Sequence, residues 1–256
     1  MSVLAPVVLS TKEGADLTLR QSWIFSNEVA FRDLGKAHQL GVPFFPPGPQ
    51  TPGKRDVRGN APPGWLEFNT LQVMDPNDVW FDPGGRTLHL LGRSHTGTSG
   101  LACLAKAVLS EDGALIKVGL EKAPSGEPML YVPCPAGQMK FHTLWDAATR
   151  RYWLLGSVCA DSMTRPDRLP EERYNLPNNE RHRLGLWFSK NLADWQWAGM
   201  VAEGATPRQS RHYASMVIDG DDLLVLSRSG NEFARSAHDG NLITFHVVRG
   251  FRELAW

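Results

Sequence analysis

The chain has 256 residues, in which 27 lysines and arginines balance 27 aspartates and glutamates. That neutrality, with no basic tract to neutralise phosphates, argues against nucleic-acid binding. No run approaches the ~20 apolar residues of a membrane-spanning helix, and three cysteines without CxxC spacing indicate neither a zinc site nor a disulfide framework, leaving buried free thiols.

The chain opens on an apolar stretch without a basic segment, broken by Pro6, which predicts an edge strand rather than a signal peptide. Residues 7–10 and 22–29 read as the last two strands of a sheet. Residues 41–63 are crowded with proline and glycine and predict an extended surface loop. From Gly64 onward a strand–turn–strand unit recurs three times. The first strands are GWLEFN from Gly64, MKFHTLW from Met139 and HYASMV from His212. The turns begin at Asp82, Asp146 and Asp219, and the closing strands are LHLLGR from Leu88, YWLLGS from Tyr152 and LLVLSR from Leu223. Gly92, Gly156 and Ser227 are equivalent positions.

Outer strands complete each unit. Residues 101–108 and 115–120 serve the first, 184–189 and 195–201 the second, and 242–248 the third. A polar loop over residues 161–183 is placed to roof one end. Four-stranded modules repeated at roughly 70 residues are the mark of propeller blades. The fold expected is all-β, a single domain over residues 1–256 forming a partial β-propeller of about three and a half blades. An incomplete ring leaves apolar lateral faces open. Either the chain lacks N-terminal blades of a longer protein, or a second copy covers the faces.

The turn Ser189–Trp195 has the shape Ser-x-Asn-Leu-x-x-Trp and resembles a degenerate Asp-box; Asp16-Leu17 followed by Trp23 is a looser version. Together with Trp65–Asn69, Lys140-Phe141, Tyr152–Leu155, Asp219–Asp222 and HDGNLITFH from His238, they stand in the order found in sialidase-like (BNR-repeat) proteins of bacteria. The chain resembles the C-terminal part of such an exo-α-sialidase-like protein over nearly its whole length.

That resemblance implies an exo-acting, retaining glycoside hydrolase and a carbohydrate partner with a carboxylated terminal sugar. A carboxylate nucleophile would be repelled by the sugar's own carboxylate, so a tyrosine attacks and a glutamate takes its proton. Arginines grip the sugar carboxylate through paired donors. On these positions Tyr213 resembles the nucleophile, Glu67 its partner, and Arg93 a carboxylate grip; Arg211 and Arg228 complete the arginine group. Lys140 and His142 share a strand face in the middle unit, where an arginine is the commoner residue, and are taken as substrate contacts. His142 and His246 are an alternative acid/base pair for a uronic acid. The aspartic acid and the first arginine of the family come from preceding blades, and no segment here matches them. No cofactor or metal is expected: His238-Asp239-Gly240-Asn241 reads as a turn rather than a ligand set. A second reading is a non-catalytic sugar-binding propeller that stacks sugars on Trp65, Trp145, Trp187 and Tyr213.

Overall fold

The computed structural model describes residues 3–34, 64–95, 99–162, 164, 168 and 179–256. The proline-rich loop at 41–63 and most of the polar loop at 161–183 lie outside them. The described residues are all-β, with antiparallel strands and short 3-10 turns. No helix among them is long and apolar enough to cross a membrane.

Near the N-terminus β1 (Leu9–Thr11) pairs with β2 (Trp23–Phe25), both shorter than the pattern suggested. The first sheet runs β3 (Gly64–Leu71), β4 (Thr87–His95), β5 (Leu101–Leu109) and β6 (Ile116–Gly119). A small hairpin of β7 (Glu121–Lys122) and β8 (Pro128–Met129) follows, and β9 (Tyr131–Pro133) returns to the start of β5. The second sheet is β10 (His142–Asp146), β11 (Arg151–Ser157), β12 (Arg183–Ser189) and β13 (Gln196–Glu203). The third is β14 (Arg211–Asp219), β15 (Asp222–Ser229) and β16 (Leu242–Val248).

Aspartates close the hairpin turns as their chemistry dictates. Asp82 accepts the backbone N–H of Gly84 at 2.8 Å and that of Arg86 at 3.1 Å. Asp146 takes the Thr149 hydroxyl and is held from outside by the fork of Arg252, at 2.9 and 3.0 Å. The turn at Ser189–Trp195 is tied by Asn191 Oδ1, which accepts the N–H groups of Ala193 and Asp194, and by the Trp195 indole donating to Leu192 O at 3.0 Å. The N-terminal turn has the same closure, with the Trp23 indole donating to Leu17 O at 3.0 Å.

The sheets stack face to face, so the strands between them must be apolar on both sides. β11 is the clearest case: Tyr152 and Leu154 join Leu91, Leu104 and Trp187 in one core, while Trp153 and Leu155 join Met216, Val225 and Phe251 in the next. A third core packs Trp65, Leu90 and Val118 under Phe31, Val8 and Ile24. Trp65 is fully buried with its indole donating to Leu4 O, and Trp187 lies in the core. Neither forms the sugar-stacking rim of the second reading; their rings fill space between sheets. The glycines mark close approaches: a Cβ on Gly92 would meet the Phe68 ring at 2.5 Å, and one on Gly156 would meet Ala136 at 2.4 Å.

The inner strands β3, β10 and β14 stand side by side. Asn69 Oδ1 on β3 accepts the Thr143 N–H of β10 at 3.1 Å, and His142 Nδ1 on β10 accepts the Met216 N–H of β14 at 3.1 Å. Bonds from an equivalent residue at each step fan the sheets about a common side as in a partial β-propeller. On the third sheet Val217, Leu226, Ile243 and Phe245 are each more than half exposed.

Candidate functional site

Register makes the three sheets comparable. Asn69 opposite Leu91, His142 opposite Leu155 and Ser215 opposite Leu226 are equivalent pairs, each one residue before Gly92, Gly156 or Ser227 on the second strand. Two residues earlier on the first strands stand Glu67, Lys140 and Tyr213. One residue beyond the markers stand Arg93, Ser157 and Arg228. The fan therefore delivers a carboxylate, an ammonium and a phenol to one level, with two guanidinium groups beside them.

Local backbone aims the outer two of these groups. β3 slips register between Leu66 and Asn69, and β14 slips between His212 and Ser215. The slipped residues Glu67 and Tyr213 have φ of 57° and 50°, in the left-handed region. That conformation costs an L-residue about 1–2 kcal/mol, and the bulge re-aims a side chain out of strict alternation. In the middle sheet the ladder starts only at His142, and Lys140 lies just ahead of β10.

Arg93 joins the parts. Buried at the end of β4, it donates through Nε to Gln138 O at 3.0 Å, which fixes the guanidinium plane. Its Nη1 lies 3.3 Å from Glu67 Oε2 and 3.3 Å from the Tyr213 hydroxyl. Arg228 lays its guanidinium 4.3 Å from the centre of the Tyr213 ring, Lys140 Nζ is 5.7 Å from it, and the Arg181 guanidinium 5.8 Å. Cations over the ring face are attracted by its quadrupole.

His212, next to Tyr213, lies between two of these arginines. Arg181 Nη1 is 2.9 Å from His212 Nδ1, and Arg228 Nε is 3.4 Å from His212 Nε2. Arginine only donates, and a neutral imidazole accepts through one nitrogen. The shorter contact takes that acceptor, so the proton sits on Nε2 and the approach of Arg228 is a close passage rather than a hydrogen bond. Burial, then the charges of Arg181 and Arg228, push the imidazole pKa down to about 2. Burial and the neighbouring Arg93 lower that of Arg181 to about 10, so it stays cationic at neutral pH. Two donors in this group, Arg181 Nε and Arg228 Nη2, are buried without a hydrogen-bond partner among the described residues. An arginine group short of acceptors suits an anion with several oxygens.

Beside Tyr213 a cavity of about 440 Å³ opens, lined by Glu67, Asn69, Lys140, His142, Tyr213 and Ser215 among others. Glu67 is the one carboxylate in its lining among the described residues. Burial and Lys140 lower the pKa of His142, which keeps that ring neutral near pH 7.

No protein-family model matches the sequence, and no curated protein does. Solved structures similar to the chain are glycoside hydrolases. A mutant Trypanosoma rangeli sialidase with trans-sialidase activity is 14% identical with a TM-score of 0.39, over 74% of this chain and 24% of its own. An α-L-arabinanase of Penicillium chrysogenum is 12% identical with a TM-score of 0.34, over 70% of this chain and 43% of its own. A GH32 β-fructofuranosidase of Bombyx mori is 14% identical with a TM-score of 0.37, over 73% and 34%. The chain thus spans less than half the length of each of these proteins.

Of the residues singled out in the sequence, the fold gathers Glu67, Arg93, Lys140, His142, Tyr213 and Arg228. Two stand apart. Arg211 spends its Nη1 on the backbone carbonyls of Ser210, at 2.7 Å, and Gly230, at 2.9 Å, so it staples the strand ends. His246 lies on β16, separated from β14 by β15, and pairs its Nε2 with Thr244 Oγ1 at 2.8 Å. Arg181 escaped the sequence reading because it sits at the end of a segment read as a polar surface loop. The segment's last residues, Asn179–His182, are buried instead. Glu180 anchors them by accepting the N–H groups of Ala160 and Asp161, at 2.7 and 2.6 Å.

Proposed function

We propose that this site binds the carboxylate of an acidic terminal sugar in the arginine group and cleaves its glycosidic bond with retention of configuration. The observation that carries the reading is the shared contact of Arg93 with Glu67 and the Tyr213 hydroxyl, beside Arg181 and Arg228 with buried, unused donors. Arg93, Arg181 and Arg228 hold the sugar carboxylate. As the Tyr213 oxygen bonds to the anomeric carbon, its proton passes to Glu67 and the bond to the leaving oxygen breaks. The cations around the ring stabilise negative charge developing on the phenol oxygen. Water then attacks the anomeric carbon, the bond to the Tyr213 oxygen breaks as Glu67 returns the proton to the phenol, and the proton lost by the water passes to the departed leaving oxygen or to solvent.

Among the described residues the cavity lining supplies no second carboxylate to protonate the leaving oxygen. Aryl glycosides, whose leaving groups depart as anions, are therefore the substrates to assay. Tyr213→Phe should lower turnover of an aryl glycoside of an acidic sugar by about a thousandfold or more, with its circular dichroism and thermal melt unchanged. Wild-type rates in Tyr213→Phe would remove the assignment.

The same lack of a second carboxylate favours a second reading, a site that binds acidic sugars without turning them over. Saturable binding by calorimetry, with no release from any aryl glycoside, would select it.

A further inference from the structure

The charges around Tyr213 exceed what one carboxylate can answer. Arg93, Arg181, Arg228 and Lys140 face it, and Glu67 is hydrogen-bonded only to Arg93 among them. These cations also fall into two groups. Arg181 and Arg228 flank His212, whereas Lys140 lines the cavity with His142 and Ser215. Lys140 has no ion-pair partner among the described residues.

Apart from Glu67, which is paired with Arg93, the polar side chains lining the cavity around Lys140 offer donors. His142 Nδ1 already accepts the Met216 N–H, which leaves its proton on Nε2 and makes the free nitrogen a donor. Asn69 is committed on both ends: its oxygen to Thr143 N–H, its nitrogen to the carbonyls of Leu91 and Phe141. Ser215 is exposed in the cavity with a hydroxyl to give. An ammonium, an imidazole N–H and a hydroxyl, with the Asn69 amide committed to the backbone and Glu67 paired with Arg93, form a surface for a second anion. The volume of about 440 Å³ accommodates a sulfated or phosphorylated sugar substituent.

We infer that this cavity is a second anion subsite, centred on Lys140, and that the substrate class is a glycan whose acidic sugar carries or adjoins a sulfate or phosphate ester. This rests on the reading of the arginine group as the holder of the sugar carboxylate. The register of the sheets provides the reason for the arrangement: Lys140 occupies the position that Glu67 and Tyr213 hold in the neighbouring sheets, so all three reach the same ligand.

The test is calorimetric titration of the full chain with sodium sulfate and with sodium glucuronate, each alone and with the other at saturation. Sulfate should bind while glucuronate is saturating. Loss of one charged hydrogen-bonding partner should weaken sulfate in Lys140→Met by about tenfold or more beyond any effect on glucuronate, and Arg228→Met should do the reverse. Ser215→Ala, an exposed change, should weaken sulfate in the same sense. Competition between the two anions, equal sensitivity of both to Arg228→Met, or no sulfate binding would overturn the second subsite. Failure of glucuronate to bind, with sulfate still bound through Lys140, would overturn the arginine group as carboxylate holder and the substrate class with it.

Discussion

The Tyr213 hydroxyl and the Glu67 carboxylate meet at one nitrogen of Arg93, 3.3 Å from each. They come from strands at opposite sides of the fan, 146 positions apart in the chain as numbered from Glu67 to Tyr213. What brings them together is the middle sheet between β3 and β14, and a bulge at each end that turns both side chains toward Arg93.

Arg93 is the hinge of this arrangement and its geometry is not reproduced by lysine. In Arg93→Lys the Nε bond to Gln138 O and the forked contact cannot both form. Affinity for glucuronate should fall by about tenfold to a hundredfold, while a neutral sugar of the same shape is unaffected. Calorimetry with the two sugars reads the difference, and an equal loss for both would point to general collapse of the site.

The left-handed backbone at Glu67 and Tyr213 gives a stability prediction of unusual sign. Glu67→Gly should be more stable than Glu67→Ala by about 1 kcal/mol, because glycine adopts φ of 57° without a Cβ clash. In an ordinary strand glycine is the worse of the two. Urea unfolding of both variants checks this, and a less stable glycine variant would mean that the bulge is not held as described.

His212 should make the fold acid-sensitive. Its folded pKa of about 2 lies below the ordinary value of 6.5, so below pH 6.5 the unfolded chain binds a proton that the folded chain refuses. Its contribution is complete above pH 6.5 and is lost as the pH falls toward the folded value, at up to about 1.4 kcal/mol per pH unit for one proton. His95 adds in the same direction, since burial and then Arg93 lower its pKa to about 4. Replacing His212 by Gln should flatten the dependence of urea midpoint on pH between 6.5 and 4. An unchanged slope would show that His212 is not the group responsible.

Gly92 lies under Phe68, the neighbour of Glu67. Gly92→Ala would put a methyl group 2.5 Å from that ring and should cost about 1–3 kcal/mol. Phe68→Leu should recover part of the loss in the double variant, a coupling that a double-mutant cycle in urea measures. Additive losses would exclude the contact.

Much of the scaffold was legible in the chain. Alternating and doubly apolar runs gave the strands, aspartate-led turns gave the hairpins, and the recurrence of the unit gave comparable strands, while Glu67, Arg93 and Tyr213 were candidates through the resemblance to sialidase-like proteins. Arg181 was not legible: a Pro-, Asn- and Glu-rich surrounding reads as surface, and its burial depends on Glu180 anchoring to Ala160 and Asp161. Arg211 and His246 looked as suitable as Arg228 in one dimension. Their side chains answer nearby partners, two carbonyls and a threonine, which strand pairing alone creates.

Local pattern determined the strands, the turns and the equivalence of Gly92, Gly156 and Ser227, because periodicity and turn chemistry act over a few residues and are written in order. Tertiary structure alone decided which cations converge on the phenol. That choice depends on how sheets stack and where two strands bulge, and contacts between residues far apart in the chain leave no local mark.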